Sequence, residues 1–142
     1  MYMIVEQTSA YPKRMIYHPE TGEFVESEYG SLFHARAFPY PYGWIEGSGT
    51  PPEPHWDCLL LSDGDFALGD RVEIRVVGVF RRADGDHKYL AVEASRDVLD
   101  YAELTEREKD ALCRLYPRVG EDEGWFGRDE AARCMETCEK AL

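Results

Sequence analysis

Acids, cations and tyrosines are placed along this chain so that they could act together on a phosphate. Asp57, Asp84, Asp86 and Asp97 sit in turn-forming stretches beside strand-like runs. Arg14, Arg36 and Lys88 supply positive charge, and Tyr40, Tyr42 and Tyr116 supply hydroxyls. Carboxylates hold hard divalent cations, a lysine neutralises anionic oxygens, and phenols donate to them, which together makes metal-assisted phosphate chemistry. Each group also has a plainer reading. Asp63-Gly64-Asp65, Gly69-Asp70 and Asp84-Gly85-Asp86 are turn signals first. Tyr40 and Trp44 read as packing residues, with Tyr42 the functional one. His55 carries an imidazole that titrates near neutrality and would suit a ligand or base, yet between Pro54 and Trp56 it reads as a loop histidine. His87 is expected to be exposed in a hairpin. Cys58, Cys113, Cys134 and Cys138 lack zinc-site spacing and read as buried or semi-buried free thiols.

These residues need strands and turns to position them, and the first two thirds of the chain provide both. Tyr2–Glu6, Arg14–Tyr17 and Glu23–Ser27 read as short strands, with a turn at His18–Gly22. Phe38–Pro54 is dense in proline, glycine and aromatics, which is loop chemistry. Asp57–Leu61 is an apolar run behind one acid, hence a buried strand. Arg71–Phe80 alternates, with Val72, Ile74 and Val76 on one face. A hairpin over Arg81–Lys88 leads to a strand at Lys88–Glu93. The last third is helical. Thr105 and Glu108 fit a capping box ahead of an Ala111, Leu112, Leu115, Tyr116 stripe that Pro117 stops. Glu121–Gly127 reads as a loop, and from Arg128 a second helix buries Ala131, Met135, Cys138 and Leu142. The sum is one α+β domain over 1–142, mainly β: a small antiparallel sheet or barrel with two helices packed outside.

Composition narrows the function. With 142 residues, 44% hydrophobic and 13% aromatic, the chain can bury a core. Its 28 acidic against 16 basic residues give a net charge of −12, which opposes the basic footprint of a nucleic-acid binder. Most of these carboxylates serve solubility; a few clustered ones would hold cations such as Mg²⁺. No run is long enough for a membrane span. Met1 to Tyr11 lacks a basic stretch followed by a long apolar one, so no signal peptide is expected, and a cytoplasmic address follows by elimination.

The order of segments resembles the soluble (family I) inorganic pyrophosphatases. Phe38-Pro39-Tyr40-Pro41-Tyr42-Gly43-Trp44-Ile45 is similar to the family's Tyr-Pro-x-Asn-Tyr-Gly-Phe-Ile. Trp56-Asp57-Cys58-Leu59-Leu60-Leu61 stands where the family carries Pro-Leu-Asp-Val-Leu-Val. Val76–Phe80, then Asp84, Asp86 and Lys88 before Tyr89-Leu90-Ala91-Val92, resemble its second acidic loop and Asp-x-Lys-Leu-Val-Ala-Val. Ile4-Val5-Glu6, Tyr17–Gly22, Tyr116, and Gly124-Trp125 with Asp129–Ala132 complete a colinear set over nearly the whole chain.

That resemblance implies a five-stranded closed, OB-like β-barrel with helices outside. It implies Mg²⁺-dependent hydrolysis of pyrophosphate to two phosphates, with Mn²⁺ as an alternative ion, by a homo-oligomer. Under it, Asp57, Asp84, Asp86 and Glu6 hold metal. Asp57, Glu53 and Tyr42 are catalytic, and Arg14, Lys88, Tyr116 and Arg36 face phosphate oxygens. The chain also departs from the family. Its Asp-Gly-Asp-Pro-x-Asp signature reads Pro52-Glu53-Pro54-His55-Trp56-Asp57 here, with only the last acid in register. Glu53 substitutes if the loop carries one extra residue. Ile16 falls where the family has Glu, and Glu28 near a phosphate-binding Arg whose space Arg36 would reach. Two alternatives stand beside the hydrolase: a non-catalytic relative serving assembly or binding a phosphorylated metabolite, and an unrelated small barrel binding oligosaccharide or nucleic acid.

Overall fold

The computed structural model describes residues 1–137. Cys138 and Leu142, expected on the last helix, lie outside them. Among the described residues eight strands and three α-helices follow the order β1 (Tyr2–Gln7), β2 (Lys13–His18), β3 (Glu23–Gly30), α1 (Leu32–Ala35), β4 (Tyr42–Ile45), β5 (Asp57–Leu60), β6 (Arg71–Arg81), β7 (Lys88–Glu93), α2 (Glu106–Leu115), β8 (Gly124–Gly127) and α3 (Arg128–Thr137). The sheet runs β1-β4-β5-β7-β6-β8, and a further β1–β6 pairing closes its first five strands into a barrel. β8 therefore extends β6 outside the closure. One pair, β5–β7, is parallel; the other ladders are antiparallel. β2 and β3 form a separate two-stranded ribbon.

Two strands lie where loops are expected. β4 sits inside the Pro/Gly-rich stretch because Gly43 lets it approach β1: a methyl there would overlap the Ile4 carbonyl oxygen. β8 replaces the tail of the Glu121–Gly127 loop, and Gly78 opposite Gly127 keeps that ladder close. β6 departs from simple alternation as well. A bulge between Val76 and Gly78 shifts its register, so that Val77 and Val79 are both fully buried while Val76 is only half-buried.

Alternation along the barrel strands divides the core in two. Cys58, Leu60, Tyr89 and Ala91 join Met3, Val5, Ile45, Ile74 and Val79, with Ala131 and Cys134 of α3. Leu59, Leu61, Leu90 and Val92 point the other way, onto Ala111, Leu112 and Leu115 of α2. Helix α2 starts as its sequence predicts. Thr105 accepts from the Glu108 amide, Glu108 accepts from the Thr105 amide, and Arg96 grips the same carboxylate. Cys58 is a buried free thiol and Cys134 is buried, whereas Cys113 is exposed on α2. Among the described residues no helix is long and apolar enough to cross a membrane.

Candidate active site

Strand register assembles the site. Asp57 opens β5 directly opposite Lys88 on β7; Trp44 flanks Asp57 on β4, and Phe80 flanks Lys88 on β6. Residues opposed across a ladder share a face, so this row lies at the end of the surface that packs on α2. Phe80 carries the stacked Tyr116 ring at 5.1 Å, which brings the end of α2 over the row. Glu6 enters from β1, where a bulge between Val5 and Gln7 breaks the pairing with β4 opposite Tyr42. A bulge re-aims one side chain, and here the chain lets Glu6 turn into the barrel mouth, only 5% exposed.

Asp57 is the hub. Lys88 Nζ donates to its Oδ2 at 2.7 Å, His55 Nε2 lies 2.9 Å from its Oδ1, and the Tyr42 hydroxyl hydrogen-bonds to it. Burial alone would raise the Asp57 pKa, but the bonds from His55, Lys88 and Tyr42 hold it well below the usual carboxylate range. Glu6 goes the other way. Burial and the nearby Asp57 carboxylate push its pKa up to about 7, against the pull of His55, Arg14 and Lys88. Burial lowers the His55 pKa, yet the bonds to Asp57 and to the Glu53 carbonyl outweigh it and raise the value. For Lys88, burial works downward and Asp57 upward, and the net shift is up. Tyr42 and Tyr116 are both raised by burial first, so both stay protonated donors.

Beside this hub lies a cavity of about 440 Å³ lined by Arg14, Tyr42, His55, Asp57, Arg82, Asp86, Lys88 and Tyr116, with α1 closing one side. Its cations and phenols can receive a small polyanion, in a chain whose overall charge is strongly negative. Arg14 comes from the β2–β3 ribbon, which the buried Gln7 ties to β1. Gln7 Nε2 donates to the Met15 carbonyl at 2.6 Å, and the Met15 amide donates back to Oε1 at 3.0 Å.

The structure thus brings Glu6, Arg14, Tyr42, Asp57, Asp86, Lys88 and Tyr116 to one place. Asp86 reaches it through Lys88, whose Nζ also donates to Asp86 Oδ2 at 3.1 Å. Asp84 and Glu53 line an adjoining cavity of about 400 Å³ that His55, Asp57 and Asp86 also line. Asp84 spends one oxygen on the Asp86 amide in a turn, at 2.9 Å. The Glu53 side chain is exposed, and it is the Glu53 carbonyl that touches the site, accepting from His55 Nδ1 at 2.7 Å. Arg36 turns away and donates to the Leu115 carbonyl. Asp97 is exposed and outside both cavities.

Two residues matter more than their sequence settings suggest. His55 is part of the hub: with Glu6 and Asp57 it forms a group whose donor atoms lie within 4.8 Å of one another. The signal was the i, i+2 spacing to Asp57, which puts both side chains on one face of an extended entry into β5. Arg82 lines the cavity from the end of the β6–β7 hairpin, and only the fold shows it. His87, expected to be exposed, is buried, with Nδ1 accepting from the Arg82 amide at 2.9 Å. Burial accordingly lowers its pKa.

Known proteins carry the same arrangement of strands. The crystal structure of inorganic pyrophosphatase from Ehrlichia chaffeensis superposes with a TM-score of 0.76 at 20% identity, over 97% of this chain and 92% of that one. The crystal structure of an inorganic pyrophosphatase from Neisseria gonorrhoeae gives 0.74 at 18% identity, over 97% and 88%. In sequence, the inorganic pyrophosphatase of Streptomyces coelicolor is 29% identical over 116 residues, 70% of this chain and 71% of that protein. The family model described as inorganic pyrophosphatase matches residues 3–141, nearly the full length, and the chain belongs to the inorganic pyrophosphatase family.

Proposed function

We propose that this chain hydrolyses inorganic pyrophosphate to two phosphates with the help of a bound divalent cation. The observation that carries the reading is the convergence of buried Asp57, Glu6 and His55 with Lys88, Arg14, Tyr42 and Tyr116 around one cavity. The donor set fits a divalent ion: two carboxylate oxygens and one imidazole nitrogen lie close together, and His55 is held by a carbonyl on its far nitrogen. The family resemblance carries Mg²⁺ or Mn²⁺ as that ion. When bound, it would polarise phosphoryl oxygens and lower the pKa of water. Asp57, Glu6 and His55 would hold it.

The chain's own groups then divide the work on the substrate. Lys88, fixed between Asp57 and Asp86, presents an ammonium at the cavity wall and neutralises phosphoryl oxygens. Arg14 and Arg82 face it from the ribbon and the hairpin, and guanidinium groups match phosphate in a two-point fork. Tyr42 and Tyr116 keep their protons and so donate to oxygens that gain charge as the P–O bond breaks. The same reading places the chain in the cytoplasm as a homo-oligomer.

One observation favours the non-catalytic alternative: both Asp57 oxygens already have protein partners. The deciding experiment is phosphate release from pyrophosphate with Mg²⁺ or Mn²⁺, for the wild type and Asp57→Asn. Hydrolysis well above buffer, reduced roughly 10²-fold or more by the substitution, supports the reading. Release no faster than buffer, or unaffected by the substitution, overturns it.

A further inference from the structure

Glu6, His55 and Asp57 are a different donor set from an all-oxygen cage. Their ligand atoms lie within 4.8 Å of one another. Bonds of about 2.0–2.2 Å from one ion to N and O ligands put such atoms up to roughly 4.4 Å apart, so a small side-chain movement closes the set. The orientation of His55 is already decided. Nδ1 points at the Glu53 carbonyl at 2.7 Å and must carry a proton there. Nε2 therefore aims at Asp57 Oδ1, 2.9 Å away, and the neutral ring would set a lone pair against a carboxylate oxygen. A second ring proton donated to Oδ1, or a cation bound between the two groups, relieves that contact. Lys88 occupies the other Asp57 oxygen, which leaves Oδ1 as the oxygen facing the imidazole.

Chemistry then selects the ion. Mg²⁺ favours a near-octahedral shell of oxygens and gives up water reluctantly. Imidazole nitrogen suits first-row transition ions, and one histidine with two carboxylates leaves further positions open for water or substrate. We infer that the Glu6–His55–Asp57 group is a mixed nitrogen–oxygen site that binds a first-row transition ion such as Co²⁺ or Zn²⁺ in preference to Mg²⁺. The inference rests on the hydrolytic reading only for the place of the ion, not for turnover. The carbonyl-held histidine supplies a nitrogen donor beside two carboxylates, which disfavours oxygen-bound Mg²⁺ at this group.

The test is binding to the full chain, freed of metal with a chelator and without substrate. Calorimetry with Co²⁺, Zn²⁺ and Mg²⁺ gives affinities, and the visible absorption of bound Co²⁺ reports its ligands. The expected result is a Co²⁺ ion bound on the order of 100-fold more tightly than Mg²⁺. His55→Gln and Glu6→Gln should each weaken Co²⁺ by roughly tenfold or more, with His55→Gln weakening Mg²⁺ less than it weakens Co²⁺. Mg²⁺ binding as tightly as Co²⁺, or Co²⁺ binding indifferent to His55→Gln, overturns the inference. If His55→Gln loses its fold by circular dichroism, electron spin echo of wild-type protein loaded with Mn²⁺ decides. Coupling to one imidazole nitrogen supports the site, and no nitrogen coupling sinks it. Tight Co²⁺ binding without phosphate release would sustain this inference while overturning the hydrolytic reading.

Discussion

Lys88 and Asp57 stand directly opposite each other across the parallel β5–β7 pair, Nζ to Oδ2 at 2.7 Å, with 9% and 10% of their side chains exposed. An ammonium removed from water to this degree is tolerable only beside a carboxylate, and the converse holds for Asp57. Lys88→Met leaves Asp57 buried with a weaker set of partners. The expected cost is about 3 kcal/mol of folding stability, because the buried carboxylate loses its main counter-charge. Urea unfolding at pH 7 measures it. A loss below about 1 kcal/mol would mean that the pair behaves as a solvent-screened one.

The row that holds this pair was only partly legible in the chain. Period-two patterning located β6, the hairpin signal after it located β7, and the Thr105–Glu108 box located the start of α2, because those signals are local. β4 was hidden because its neighbours are prolines and glycines, and because Gly43 is dictated by contact with Ile4, far away in sequence. The Lys88–Asp57 pairing depends on a parallel register between segments thirty residues apart, which no local pattern encodes. Arg82 and Gln7 act through where the hairpin and ribbon fold back. His55 was nearer to view, since its alternation with Asp57 is local, but a histidine among prolines gives no sign that a carbonyl fixes its ring.

Gln7 positions Arg14 through two hydrogen bonds to the Met15 peptide, at 2.6 and 3.0 Å. Each such bond is worth about 1 kcal/mol, so together they hold the ribbon against roughly thirtyfold more opening. Gln7→Leu keeps volume and removes both. Amide hydrogen exchange at Met15 should then accelerate by about that factor. KM for pyrophosphate should rise more than kcat falls, since on the proposed reading Arg14 faces substrate oxygens and is displaced rather than deleted. Unchanged exchange at Met15 would show that the ribbon is held elsewhere.

Glu108 sets an acid limit on stability. Arg96 donates to its two oxygens at 2.6 and 2.9 Å, and the Thr105 amide donates at 2.9 Å. Burial raises its pKa, but these bonds bring the net value below the ordinary one. A carboxyl depressed on folding stabilises the protein above its unfolded pKa, about 4.3, and the contribution is lost as pH falls through the lower folded value. Glu108→Gln should therefore cost about 1–2 kcal/mol at pH 7, with the gap from wild type closing below about pH 4. Urea midpoints from pH 7 to pH 3 provide the check. A gap that stays constant over that range would remove the carboxylate from the account.

Arg36 separates a phosphate ligand from a strut. Its guanidinium donates to the Leu115 carbonyl, at the end of α2 and one residue before Tyr116. Terminal helix carbonyls lack partners within the helix, and a cation there is favourable by up to about 1 kcal/mol. Tyr116, stacked on Phe80, lines the cavity; Arg36 does not. Arg36→Ala should therefore lower stability by about 1 kcal/mol, leave inhibition by orthophosphate nearly unchanged, and be rescued in stability by Arg36→Lys. Arg14→Ala should weaken orthophosphate roughly tenfold, because it deletes a charge-assisted contact to the anion. Comparable weakening in both variants would place Arg36 on the phosphate and require its bond to Leu115 to break when substrate binds.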